Sequence, residues 1–115
     1  MVMTAVNNEW ETVCQLDDIT PNTGVCALLN GRQVAIFRLA NNDELYAVDN
    51  FDPFGEANVL SRGLVGSIGD ELVVASPLYK QHFSLTTGAC LEDDSVSIDT
   101  FSVRVESGQV QLAAK

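Results

Sequence analysis

The sequence predicts an all-β domain, an antiparallel β-sandwich of small stacked sheets with little or no helix, and two observations carry that prediction. Short runs rich in valine, isoleucine, leucine and phenylalanine recur along the 115 residues, and glycine, asparagine or aspartate turn signals separate them. Nowhere does a 3.6-residue apolar period persist long enough for an amphipathic helix. Many short strands with no helices between them pack as stacked antiparallel sheets.

The first element is Trp10-Glu11-Thr12-Val13-Cys14, whose alternation of apolar and polar residues has the two-residue period of a half-buried strand, with Trp10 as a core anchor. Gln15 to Asn22 breaks that pattern with Asp17, Asp18 and Pro21 and reads as a loop. Gly24–Leu29 and Gln33–Arg38 flank Asn30-Gly31, a strong hairpin signal in which Arg32 is expected to lengthen the turn. Asn41-Asn42-Asp43-Glu44 is a polar turn into the strand Leu45–Val48, and Asp49 to Arg62 is the longest irregular stretch. Leu64–Ile68 and Glu71–Ala75 form a second hairpin about Gly69-Asp70. A third is expected from Phe83–Leu85 to Ala89–Leu91 across Thr86-Thr87-Gly88, and a fourth joins Phe101–Val105 to Gln109–Leu112 through Ser107-Gly108. The first eight residues and Ala113-Ala114-Lys115 read as frayed tails.

Length and composition place the chain as one domain over 1–115 with a core over about 10–112, large enough to fold without staples. The net charge of −10 repels phosphate backbones and anionic lipid, so neither nucleic acid nor membrane is an expected partner, and basic partners are favoured. No apolar run reaches membrane-spanning length, and Met1–Glu9 lacks the basic start and apolar stretch of a secretory signal, which points to the cytoplasm. Cys14, Cys26 and Cys90 are an odd, widely spaced set, so they read as buried free thiols rather than as disulfides or a zinc site.

Candidate chemistry is sparse. His82 is the single histidine, no Gly-x-Ser-x-Gly elbow accompanies it, and it reads as a structural or surface residue. Asp49, Asp52 and Glu56 share one loop without the oxygen spacing of a calcium site, and Asp52 before Pro53 reads as a turn residue bonding nearby amides. Neither a dinucleotide fingerprint nor a phosphate-binding loop is present. No catalytic, cofactor-binding or metal-ligating residue is therefore assigned to this chain.

Two stretches carry a resemblance. Leu72–Gly88 runs strand, Ser76-Pro77-Leu78-Tyr79 loop, short strand and Thr87-Gly88 turn, and Leu45–Phe54 ends in Asn50-Phe51-Asp52-Pro53-Phe54. Together they resemble the two cluster-binding loops of a Rieske iron-sulfur domain, in which two cysteines and two histidines hold the iron pair. At the four ligand positions stand Asp52, Phe54, Ser76 and Tyr79, so the resemblance implies a Rieske-like fold without a 2Fe-2S cluster. The combination of Asn-Phe-Asp-Pro-Phe, Leu60-Ser61-Arg62-Gly63-Leu64 and Ala75–Gln81 is specifically similar to the small-subunit family of siroheme-type NAD(P)H-dependent nitrite reductases. That similarity implies an accessory subunit serving nitrite reduction to ammonium in nitrate assimilation. The siroheme, iron-sulfur cluster, FAD and NAD(P)H site would all belong to a large subunit that is its partner. Phe51, Asp52, Phe54, Arg62, Tyr79 and Lys80 are the expected docking residues, because exposed aromatic and cationic side chains compose binding hot spots. Alternatively, Phe54 and Tyr79 close as an apolar cap over the space of the missing cluster. A stand-alone interaction module serving another oxidoreductase or regulator is the other functional reading.

Overall fold

The computed structural model describes residues 10–40, 43–78 and 80–114. Its strands are β1 (Glu11–Gln15), β2 (Thr23–Leu29), β3 (Arg32–Arg38), β4 (Leu45–Asp49), β5 (Phe51–Asp52), β6 (Ala57–Asn58), β7 (Leu64–Ile68), β8 (Glu71–Ala75), β9 (His82–Ser84), β10 (Thr100–Glu106) and β11 (Gln109–Ala114). Single 3-10 turns at Leu16–Asp18 and Leu60–Arg62 are the only helical pieces among the described residues. All pairing is antiparallel, as expected.

A six-stranded sheet runs β1-β11-β10-β4-β3-β2, a three-stranded sheet runs β7-β8-β9, and β5 and β6 form a two-stranded ribbon between them in sequence. The outer strands β1 and β2 approach each other, so the large sheet curls toward a barrel. Strand periodicity then separates two cores. Val34, Ile36, Ala47, Phe101, Val110 and Leu112 face the barrel interior, while Ala35, Phe37 and Val48 on the opposite face pack with Val74, Phe83 and Leu85 of the smaller sheet and its continuation. β3 is buried on both faces, which its continuous Val-Ala-Ile-Phe run allows.

Local turn chemistry explains the hairpins. Asn30 and Gly31 take φ of 52° and 83°, the doubly positive pair of a tight turn whose twist matches the flanking strands. Arg32 consequently belongs to β3, paired with Leu29, and the turn is not lengthened. Ser107 and Gly108 repeat this with φ of 52° and 79°. The third expected hairpin is reduced to a single bridge, Phe83↔Cys90, because the returning chain turns away through Asp93, whose carboxylate accepts the Ser95 N–H at 3.1 Å.

Other expectations are corrected. Ala113 and Ala114 are the end of β11, paired with Ser102 and Phe101. Trp10 lies half-exposed with the Arg104 guanidinium 4.3 Å above its ring, because it precedes β1 on the face away from the barrel interior. Cys90 is buried, but Cys14 is half-buried and Cys26 exposed. β2 is an outer strand that turns Val25 and Ala27 inward, which leaves Cys26 and Leu28 facing out. Residues 1–9, Asn41, Asn42 and Lys115 lie outside the described residues, and with them most of the expected tails and half of the expected polar turn.

Candidate interaction site at the paired loops

Two loops, one after β5 and one after β8, are built to the same plan. In the first, the Asp52 carbonyl accepts the Glu56 N–H at 2.7 Å, and in the second the Ser76 carbonyl accepts the Lys80 N–H at 3.2 Å. In each, the carbonyl of the opening residue accepts the amide four residues on. Each closes on a residue in the left-handed region, Glu56 at φ 54° and Lys80 at φ 69°. In each, the opening side chain also holds the amide two residues on: Asp52 Oδ1 accepts the Phe54 N–H at 2.9 Å and Ser76 Oγ accepts the Leu78 N–H at 3.2 Å. Asp52 therefore acts as the turn residue that its place before Pro53 predicts.

The two openings are joined. Ser76 Oγ donates to Asp52 Oδ2, and both residues are buried, at 1% and 0% exposure. This bond crosses 24 positions of sequence and locks one loop to the other. Leu78 lies against Gly55, where a Cβ would stand 2.4 Å from Leu78 Cδ1, so the tips also touch.

The frame below is polar, and Gln81 Oε1 is the buried polar side-chain atom without a partner among the described residues. Asn50, 1% exposed, donates from Nδ2 to Gln33 Oε1 at 3.0 Å and accepts the Ser61 N–H on Oδ1 at 2.7 Å. Its backbone N–H reaches the Gln33 carbonyl at 3.1 Å, and its carbonyl takes the Leu60 N–H at 3.0 Å. Asn50 thus ties β3, the first loop and the turn at Leu60–Arg62 together. Behind the second loop, Glu92 accepts the His82 N–H at 2.8 Å and meets His82 Nδ1 at 2.6 Å. The His82 backbone N–H, aided by the ring, draws the Glu92 carboxyl below its ordinary value. His82 is half-buried in this contact, in keeping with a structural residue.

The expected site residues separate into three groups. Asp52, Phe54 and Ser76 come together, but Asp52 is sealed inside and works behind the surface rather than on it. Phe54 is half-buried with its ring centroid 6.2 Å from that of Phe83 and packs on the core, as the cap reading expects of Phe54. Phe51, Arg62 and Lys80 are exposed. Tyr79 lies outside the described residues. Sequence reasoning assigned no role to Asn50 or Leu78 and weighed Glu56 only as a cation ligand. Asparagine next to a Pro-containing loop and the twin four-residue spacings Asp52–Glu56 and Ser76–Lys80 were the available signals.

These residues do not fit a two-iron cluster. A Rieske centre needs two thiolates on one iron and two imidazoles on the other. Here Asp52 and Ser76 satisfy each other, and Phe54 offers no donor atom. No step through such a cluster is derived.

Comparison with known proteins agrees with this geometry. The model of the Rieske-like [2Fe-2S] domain family matches residues 9–113. The NADH nitrite reductase small subunit of Salmonella typhimurium is 52% identical over 105 residues, covering 91% of this chain and 97% of that one. The solution structure of the nitrite reductase [NAD(P)H] small subunit from Erwinia carotovora superposes with a TM-score of 0.78 at 52% identity, covering 92% of this chain and 82% of that one. The nitrite reductase [NAD(P)H] large subunit of Klebsiella oxytoca contains a segment 45% identical over 101 residues, which is 88% of this chain and 10% of that protein.

Proposed function

Because the chain belongs to the Rieske-like domain family, and within it to the small subunits of nitrite reductase, we propose that it acts as a cluster-free partner docked on a catalytic large subunit. The observation that carries this reading is the Klebsiella large subunit, which holds a homologous segment within its own polypeptide. A domain covalently joined to the catalytic protein in one organism and separate in another is selected to work at its side. Joining raises effective concentration without any new contact, so the separate chain needs a docking surface of its own.

In this reading the large subunit binds NAD(P)H, FAD, an iron-sulfur cluster and siroheme, and reduces nitrite to ammonium in the cytoplasm during nitrate assimilation. The small subunit is one domain that offers that partner the exposed Phe51 of β5, Arg62 of the 3-10 turn and Lys80 of the second loop, with Tyr79 next to Lys80 in sequence. Asp52 and Phe54 hold the presenting loops in shape from beneath. No helix among the described residues is long and apolar enough to cross a membrane.

Co-expression of the tagged chain with the large subunit of its host tests the reading. A stable complex with flavin and siroheme absorption is the expected outcome. Phe51→Ala with Lys80→Ala should weaken the complex about tenfold while the isolated chain keeps its fold. Purification of the tagged chain alone, with no large subunit retained at micromolar concentration, would overturn it.

A further inference from the structure

β7 presents a strand edge that no described part of the chain covers. It pairs with β8 in unbroken register from Leu64↔Ala75 to Ile68↔Glu71, and β8 continues to β9 on its other side. No backbone hydrogen bond among the described residues reaches Leu64–Ile68 from elsewhere. Alternate residues of an antiparallel strand turn their N–H and C=O groups to opposite neighbours, so about half of those of β7 point outward.

Edge strands of this kind are ordinarily guarded by lysine, proline, a bulge or a covering loop. Leu64-Val65-Gly66-Ser67-Ile68 has no charge and no proline, and its ladder has no bulge. Leu64 is 77% exposed and Ile68 45%, on the same face as Gly66 between them, where a Cβ would meet nothing within 4 Å. A groove of about 440 Å³ borders the strand and reaches over to β8, lined by Val65, Gly66 and Ser67 of β7, Leu72 of β8, and Leu39, Ala40 and Glu44.

We infer that this edge is completed by an extended segment of the catalytic large subunit, added as a further antiparallel or parallel strand beside β7. The inference rests on the docking function proposed above. Main-chain bonding supplies affinity in such strand addition, and alternate side chains supply selectivity. The segment places apolar side chains over Leu64 and Ile68, with the open space at Gly66 admitting a bulky one. Charge selects the occupant. The chain carries −10 overall, with Asp70 beyond one end of β7, Arg62 beyond the other and Glu44 on the groove wall, so a segment of net positive charge is attracted and a second copy repelled.

The test is hydrogen exchange on the isotopically labelled chain, free and in complex with the large subunit, together with the double variant Leu64→Lys, Ile68→Lys. Both side chains are exposed, so the variant keeps its folded NMR spectrum. The expected result is slowed exchange at alternate amides of 64–68 in the complex, and about tenfold weaker binding of the variant. A complex that forms with unchanged exchange along β7 and undiminished variant affinity would overturn the strand addition and leave the docking function standing. Failure of the wild-type chain to bind at all would instead remove the docking function, and this inference with it. Protection of β7 that rises with concentration of the chain alone would assign the edge to a second copy and overturn the proposed occupant.

Discussion

Removing the Ser76 hydroxyl leaves Asp52 Oδ2 buried at 0% exposure without its donor. Leaving a buried acceptor unsatisfied costs about 1–3 kcal/mol, so Ser76→Ala should lower unfolding free energy by that amount in urea titration. Asp52→Asn retains the acceptor for Phe54 and offers an N–H to Ser76 Oγ, and it should cost under about 1 kcal/mol, the worth of a single neutral bond. At Glu92 the effect depends on pH. Its folded carboxyl lies below the ordinary value of 4.5, so its stabilisation is present above that value and is lost as pH falls through the lowered one. Glu92 is 47% exposed on its side chain, which limits the gain to at most about 1 kcal/mol. Glu92→Gln should therefore reduce stability at pH 7, and by a progressively smaller amount as pH falls below 4.5, as followed by denaturant titration across that range.

Among the elements, the turn at Gly88 is the least tolerant of change. Gly88 takes φ 82°, and a Cβ there would stand 2.0 Å from the Ile98 carbonyl oxygen. Gly88→Ala combines a disfavoured backbone with a clash against main chain and should destabilise by about 2–4 kcal/mol, measurable as a lowered thermal midpoint. Elements of this local kind were legible in the sequence. Asn30-Gly31, Gly69-Asp70 and Ser107-Gly108 specify their hairpins through the dihedral preferences of two adjacent residues. The β5–β6 ribbon was not legible, since two-residue strands carry no periodicity. The exposure of Cys26 was hidden for a related reason: in an uninterrupted apolar run only sheet position decides which residues face out. The loop frame could be recognised from Asp52-Pro53 and Ser76-Pro77, whereas the bond joining Asp52 to Ser76 depends on folding that brings distant segments together.

For the whole molecule, net charge decides how partners are met. A chain at −10 gains encounter rate with a basic surface, and that gain is screened by salt. Association with the large subunit should therefore slow as sodium chloride rises from 50 to 500 mM, approximate limits chosen to span the change in screening length, with little change in dissociation rate. Stopped-flow mixing would measure both. The Asp52–Ser76 bond has a further consequence for motion. Because each loop's opening side chain is held by the other loop, neither can peel away from the barrel alone, and transient opening becomes one shared event. The Phe54 and Leu78 amides, on separate loops, should then exchange with solvent at one common opening free energy. For the docking proposed above, the linked openings at Asp52 and Ser76 would meet the large subunit already ordered relative to each other, which leaves less conformational entropy to lose on binding.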